Sequence, residues 1–341
     1  MVHRSEWIDY TKALGIMLVV YAHVARGLYN AGVAIPKSFF ELTDSVIYSF
    51  VMPLFFFLSG LFFYNSFSKR GATGLVLSKV DTIVYPYILW SIIQGVIEAT
   101  LANYTNGDVT YAEVFTLLWS PRAQFWFLYA LFIFFLFASA IYSVVSKRAA
   151  VWVFLLSVIA YLTPSIRPEG FIFDVIPQHF VFFAFGIVFS LHVDARRLAK
   201  FWVIALLAVI VGAVQYYYHV TLDQRYTDYG PVGLLAALVS ILLMVAVSTR
   251  LSEKPNRLML FIGTSSMAIY LMHILAGSGA RVVLKALIGT DAYIAHLLVG
   301  FVVGFLAPLA AVWLIERYRI PYVFSAPISR WVSGNSVRLK P

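Results

Sequence analysis

The sequence predicts an all-α protein that crosses a membrane about ten times, with both termini in the cytoplasm. Three observations carry that prediction. Of 341 residues, 61% are hydrophobic and only 12% are charged, with a mean hydropathy of +0.85. Soluble globular domains carry about a quarter of their residues as Asp, Glu, Lys and Arg, so this chain has too little charge to cover a water-facing surface. The apolar residues also gather in long runs separated by short charged stretches. None of these runs alternates with a period of two, which excludes a membrane β-barrel. The same composition excludes a soluble enzyme, a disordered chain and a collagen-like or coiled-coil rod.

A hydrocarbon layer of about 30 Å takes roughly 20 mostly apolar residues per helix. Ten runs qualify in order along the chain: 11–29, 45–64, 80–101, 124–146, 149–163, 176–192, 201–218, 230–249, 258–277 and 292–316. The fifth is the shortest. The first follows Arg4 and Lys12 without a small-x-small cleavage site and leads straight into the second, so it reads as an uncleaved anchor. In the second, Pro53 is expected to kink the helix, and Ser59-Gly60 to admit a close neighbour. No linker, low-complexity segment or internal repeat divides residues 1–341, which read as one integral-membrane domain.

Orientation follows from the basic residues. With the N-terminus cytoplasmic, 18 of the 25 Lys and Arg residues fall on that side, among them Arg4, Arg338 and Lys340. The other 7 include Arg26, Arg122, Arg167 and Arg281. Such an excess in cytoplasmic loops is the mark of orientation, so the net charge of +9 reads as topology. The basic residues occur singly and in pairs, not as a tract with interleaved aromatics, and no nucleic acid is expected as a partner. Membrane lipids are. The absence of Cys removes a thiolate nucleophile, a thiolate metal site and a disulfide.

Ionisable groups inside spans are costly and mark function by default. The first span holds the most informative set. Lys12 and His23 are 11 residues apart, which returns them to within roughly 20° of one helix face at an axial separation of about 16 Å. Arg26 lies one turn beyond His23, and Asp9 one turn before Lys12. The ordinary reading of such residues is a snorkelling Lys and a His bonded to a neighbouring helix. The stripe favours another, with Lys12 holding a phosphate and His23 conducting chemistry further in. By topology His23, Gln124, Trp126, His179, His273 and Arg281 all fall in the outer half of the membrane or at its outer mouth, where a polar cavity is expected. No Gly-x-Ser-x-Gly elbow occurs, and no His-x3-His or His-Glu-x-x-His spacing, so no metal is expected.

Four motifs in order make a specific resemblance. Trp7-Ile8-Asp9-Tyr10-Thr11-Lys12 followed by ten residues and His23 resembles the opening of the acyltransferase 3 family, with its Arg/Lys-x10-His signature. Phe50-x-Met52-Pro53-Leu-Phe-Phe-Phe-Leu-Ser59-Gly60 is similar to its second hallmark, Phe125-Trp126-Phe127-Leu128 to a third, and Gly263-x-x-Ser266-x-x-Ile269-Tyr270-Leu-x-His273 to a fourth. The flavour is that of the fucose 4-O-acetylase-like branch. The resemblance implies a ten-helix enzyme of the bacterial cytoplasmic (inner) membrane. It would move an acetyl or other short acyl group from cytoplasmic acetyl-CoA to a sugar hydroxyl of a surface, exported or lipid-linked glycan. It places His23 on the catalytic histidine, as general base or transient acyl carrier, and Lys12 on the motif's basic residue. Lys12, Lys79, Lys69 and Arg70 are expected to hold the CoA phosphates, and Arg26, Trp126, Gln124, His273 and Arg281 to meet the acceptor. One departure stands out: where the family often carries Arg-x-x-Arg before the third span, this chain has Lys79-Val80-Asp81-Thr82. The rival class on composition is a transporter or flippase of a small or lipid-linked sugar, which also uses kinked helices and midplane charges.

Overall fold

The computed structural model of the chain describes residues 6–101, 109–163 and 170–333, and every regular element among them is helical. Arg4, Arg167, Arg338 and Lys340 of the orientation argument lie outside these residues. The helices are α1 (Glu6–Asn30), α2 (Lys37–Tyr48), α3 (Val51–Lys79), α4 (Tyr85–Thr100), α5 (Tyr111–Val114), α6 (Trp126–Val144), α7 (Ala150–Leu162), α8 (Phe171–His192), α9 (Phe201–Tyr216), α10 (Pro231–Ser252), α11 (Arg257–Thr264), α12 (Ser266–Ile288), α13 (Tyr293–Arg317) and α14 (Ile328–Ser333).

Among the described residues, eight helical runs are long and apolar enough to cross a membrane. The second and third expected spans both fall within one of these, the helical stretch Lys37–Thr100. The fifth forms only the 13-residue α7, which at 1.5 Å per residue reaches about 20 Å.

Three breaks differ from the sequence reading. Pro53 does not kink a span from within. It is the third residue of α3, in a first turn where a missing N–H has no intrahelical partner to lose, and the break falls at Ser49–Phe50, between α2 and α3. A second break lies inside α3 at Gly71, whose φ of 67° is open to glycine without steric cost. The expected span 258–277 is divided at Ser265 into α11 and α12, so the long helix is 266–288. The third span likewise begins with a π-helical turn, Val80–Val84, before α4.

Two compact units make up the chain. The described residues of the first are 6–58 and 189–313. Its centre is α1, packed by α2, α10, α11 and α12. α1 and the α11–α12 pair run parallel and in register. A Cβ at Gly263 would lie 2.0 Å from the Asp9 carbonyl oxygen, Arg281 bonds Gly27 and Lys285 bonds Ala31, each pair offset by 254 positions. α13 approaches α1 through Gly300 and Gly304, which face Val24 and Val20. Small residues at such contacts let backbones close where no hydrophobic force drives them together.

The described residues of the second unit are 59–101, 109–188 and 314–333. Phe63, Phe134, Phe135, Phe180 and Phe183 form its aromatic core, mostly edge-to-face. Gly60 packs so closely on α8 that a Cβ would fall 2.1 Å from the Phe183 carbonyl oxygen, as the Ser59-Gly60 pair leads one to expect. The segment after α13 is tied to the start of α4. Asp81 accepts from the Ser329 backbone at 2.7 Å and from its hydroxyl at 2.6 Å, while Tyr85 and Trp90 donate to the Tyr322 and Val323 carbonyls.

Candidate active site

The first unit brings His23 and His273 together. Their rings meet edge to face, with centroids 4.9 Å apart. Gly263 docking on α1 sets this register, because it holds α12 parallel to α1 and delivers His273, nearly three turns later, beside the His23 ring. The fourth motif thus has a geometric content: a close-packing glycine, a helix start at Ser266, and a histidine aimed at the first span.

The proton positions on both rings follow from their partners. His23 Nδ1 lies 2.9 Å from the Val19 carbonyl oxygen. A carbonyl only accepts, so in the neutral ring Nδ1 carries the proton and Nε2 the lone pair. His273 has the same arrangement, with Nδ1 at 3.0 and 2.8 Å from the Ile269 and Tyr270 carbonyls. It is fully buried, and its Nε2 has no hydrogen-bond partner among the described residues. His23 is only partly buried.

A second group, unread in the sequence, completes the site. The Tyr48 hydroxyl lies 3.2 Å from His23 Nε2 and 3.4 Å from Nδ1. Near-equal distances to the two nitrogens place it over the face of the ring, leaving the in-plane Nε2 lone pair clear. Tyr48 is held from behind. The Arg26 guanidinium stacks 3.4 Å from the centre of its ring, and Asp44 grips that guanidinium with two bonds of 2.6 and 2.8 Å. Tyr226 adds a ring 5.3 Å from Tyr48. Its loop is pinned by the Tyr226 backbone N–H donating to Ser45 Oγ at 2.8 Å and by the Tyr218 hydroxyl, 2.6 and 2.8 Å from the Arg225 and Asp228 carbonyls. Asking which acid neutralises Arg26 would have pointed to Asp44, at the mouth of the next span.

The remaining expected residues fall as follows. Lys12 lies on the same partly exposed side of α1 as His23 and Arg26, paired with buried Asp9 at 3.6 Å. Arg26 does not stand open for an acceptor; its charge is matched by Asp44. Arg281 differs most from the sequence reading. It is buried, and its guanidinium donates to the Gly27 carbonyl at 2.8 Å, joining Lys285 on Ala31 in satisfying the end of α1. Terminal carbonyls of a helix lack intrahelical donors and carry the negative end of its dipole, which is why cations settle there.

In the second unit, Trp126 opens α6 and packs on His179 with ring centroids 5.4 Å apart. Gln124 is buried in a reciprocal amide pair with Gln94, at 2.7 and 3.2 Å; Gln94 also donates to Glu98, which accepts from Arg122. Gln124 thus joins two helices instead of facing an open cavity. Lys79 lies over the Phe135 ring at 4.2 Å. Arg70 reaches back across the Gly71 break to Ser78, next to Lys79, at 2.8 Å, and Lys69 is exposed beside it. The bond across the break brings Arg70 to the residue before Lys79.

Comparison with known proteins turns this geometry into an identification. The family model for the acyltransferase 3 acyltransferase domain matches residues 5–317. The chain belongs to the acyltransferase 3 family. That match spans both units and all four motifs. No curated protein and no solved structure matches the chain significantly. An acyltransferase 3 domain with these apolar helices is an integral-membrane acyltransferase.

Proposed function

We propose that the chain transfers an acetyl or other short acyl group from acyl-CoA to a hydroxyl of a glycan or lipid-linked sugar at the bacterial cytoplasmic membrane. The observation that carries this reading is the His23 tautomer. With Nδ1 tied to Val19, Nε2 presents a lone pair on the partly exposed side of α1. Acyl transfer to a hydroxyl needs a neutral base of that kind within about 2.6–3.2 Å of the proton it takes.

The steps balance on this chain's residues. The acceptor O–H gives its proton to His23 Nε2 as its oxygen bonds to the thioester carbonyl carbon, and the carbonyl electrons move onto oxygen. Collapse of that intermediate breaks the carbon–sulfur bond, and the CoA sulfur leaves with the proton from the imidazolium. Lys12, Lys79, Lys69 and Arg70 would hold the CoA phosphates. The spacing of about 16 Å from Lys12 to His23 suits the length of a pantetheine arm. Trp126 supplies a face on which a sugar ring would stack.

The test is acetyl-CoA labelled in its acetyl group, given to membranes containing the protein and to membranes lacking it, with a panel of glycans from the host. Label entering a glycan only where the protein is present is the expected result. Movement of a sugar across the membrane without loss of acyl-CoA would overturn the reading in favour of a transporter.

A further inference from the structure

We infer that Tyr48 is a catalytic residue, the hydrogen-bond donor to the oxyanion formed during acyl transfer. This rests on the proposed function and adds a role that base chemistry at His23 does not supply. A tetrahedral intermediate puts a full charge on the former carbonyl oxygen, and stabilising it takes a preorganised donor about 2.7–3.1 Å away.

Tyr48 meets that requirement by position. Its hydroxyl lies 3.2 Å from His23 Nε2, over the ring face and about at right angles to the in-plane lone pair along which an acceptor approaches. An attacking oxygen about 2.8 Å from Nε2 and an oxyanion about 2.3 Å further on close a four-sided figure, with a final side near 2.7 Å back to the Tyr48 hydroxyl. No movement of the helices is required. The hydroxyl that rests against His23 before reaction is therefore within reach of the oxyanion during it.

Its surroundings serve the same end. A guanidinium over a phenol ring draws electron density from it and strengthens the O–H as a donor; Arg26 sits 3.4 Å from the ring centre. Asp44 fixes Arg26 through two parallel bonds, the geometry that gives such pairs their directional specificity. Tyr226 flanks both groups, its ring 5.3 Å from that of Tyr48 and 5.2 Å from the guanidinium. A tyrosine required only to fill space needs neither its hydroxyl beside a base nor a paired Arg on its face.

Tyr48→Phe keeps the ring and its Arg26 stack and removes only the hydroxyl. Initial rates of label transfer from acetyl-CoA to the host glycan panel are compared for the unaltered protein, Tyr48→Phe and His23→Ala, at matched amounts of folded protein and over a range of acetyl-CoA. The expected result for Tyr48→Phe is a fall in kcat of about 100- to 1000-fold, with KM for acetyl-CoA within about 2-fold of the original and an unchanged melting temperature. An unchanged kcat in Tyr48→Phe, with transfer lost in His23→Ala, overturns the oxyanion role and leaves the proposed function standing. A raised KM with kcat kept overturns it equally, since that would make Tyr48 a binding group. Transfer that persists in His23→Ala, or is absent from the unaltered protein, overturns the proposed function and this assignment with it.

Discussion

At the scale of single residues, the site sets His23 against a tyrosine backed by an ion pair. Asp44 matters through Arg26, and Arg26 through Tyr48. Asp44→Asn removes the charge pairing while keeping the shape, so Arg26 loosens and the transfer rate should fall about 10-fold while His23 stays in place; steady-state rates at saturating donor check this. Arg281 makes the opposite case. Arg281→Met removes the guanidinium bond to Gly27 and leaves that carbonyl the Ala31 N–H, which should cost about 0.5–1.5 kcal/mol of stability with activity per folded molecule kept. A lower melting temperature at unchanged KM for acceptor is the expected pair of measurements. His23 and Lys12 were legible because both stand in one helix at a spacing that helix geometry interprets. Asp44, Tyr48 and Tyr226 were not, because their contacts join residues 18 to 181 positions apart and no periodicity links them. Arg281 misled for a related reason: a cation beyond mid-span resembles a ligand contact until the carbonyl it satisfies is seen.

Helices in this chain meet through glycines where backbones nearly touch. The Cβ of a Gly263→Ala variant would sit 2.0 Å from the Asp9 carbonyl oxygen, and that of Gly60→Ala 2.1 Å from Phe183. Neither contact is relieved by a side-chain rotation, so each should cost about 3 kcal/mol or more. Gly212 faces open space, and Gly212→Ala in α9 should be neutral or stabilising by about 0.5–1 kcal/mol. Thermal unfolding of the three variants in one detergent orders them. Gly263→Ala should also lower activity beyond its loss of folded protein, since it shifts His273 against His23. Element positions were readable from hydropathy, because an apolar run of membrane length matches the hydrocarbon thickness and little else in a protein does. The breaks at Ser49–Phe50 and Ser265 were not, because hydropathy runs straight through them.

For the whole molecule, orientation is the open physical quantity, and the basic residues fix an expectation for it. The parallel course of α1 and α11–α12 requires an odd number of crossings between them, which seven intervening spans would satisfy. Because the chain has no Cys, single cysteines report on sides without background. Asp291→Cys, exposed after α12, should react with an impermeant maleimide in intact cells, and Ser146→Cys, exposed before α7, should react only after permeabilisation; the reverse pattern would invert the topology. His23 is the proposed base of the acyl transfer. The most direct test of that role is the initial rate of thiol release from acetyl-CoA, in the presence of the host glycans, by reconstituted protein carrying His23 or His23→Gln. The expected result is release that depends on glycan and falls by at least about 100-fold in the variant. Equal release by both proteins, at equal folded amounts, would contradict that role.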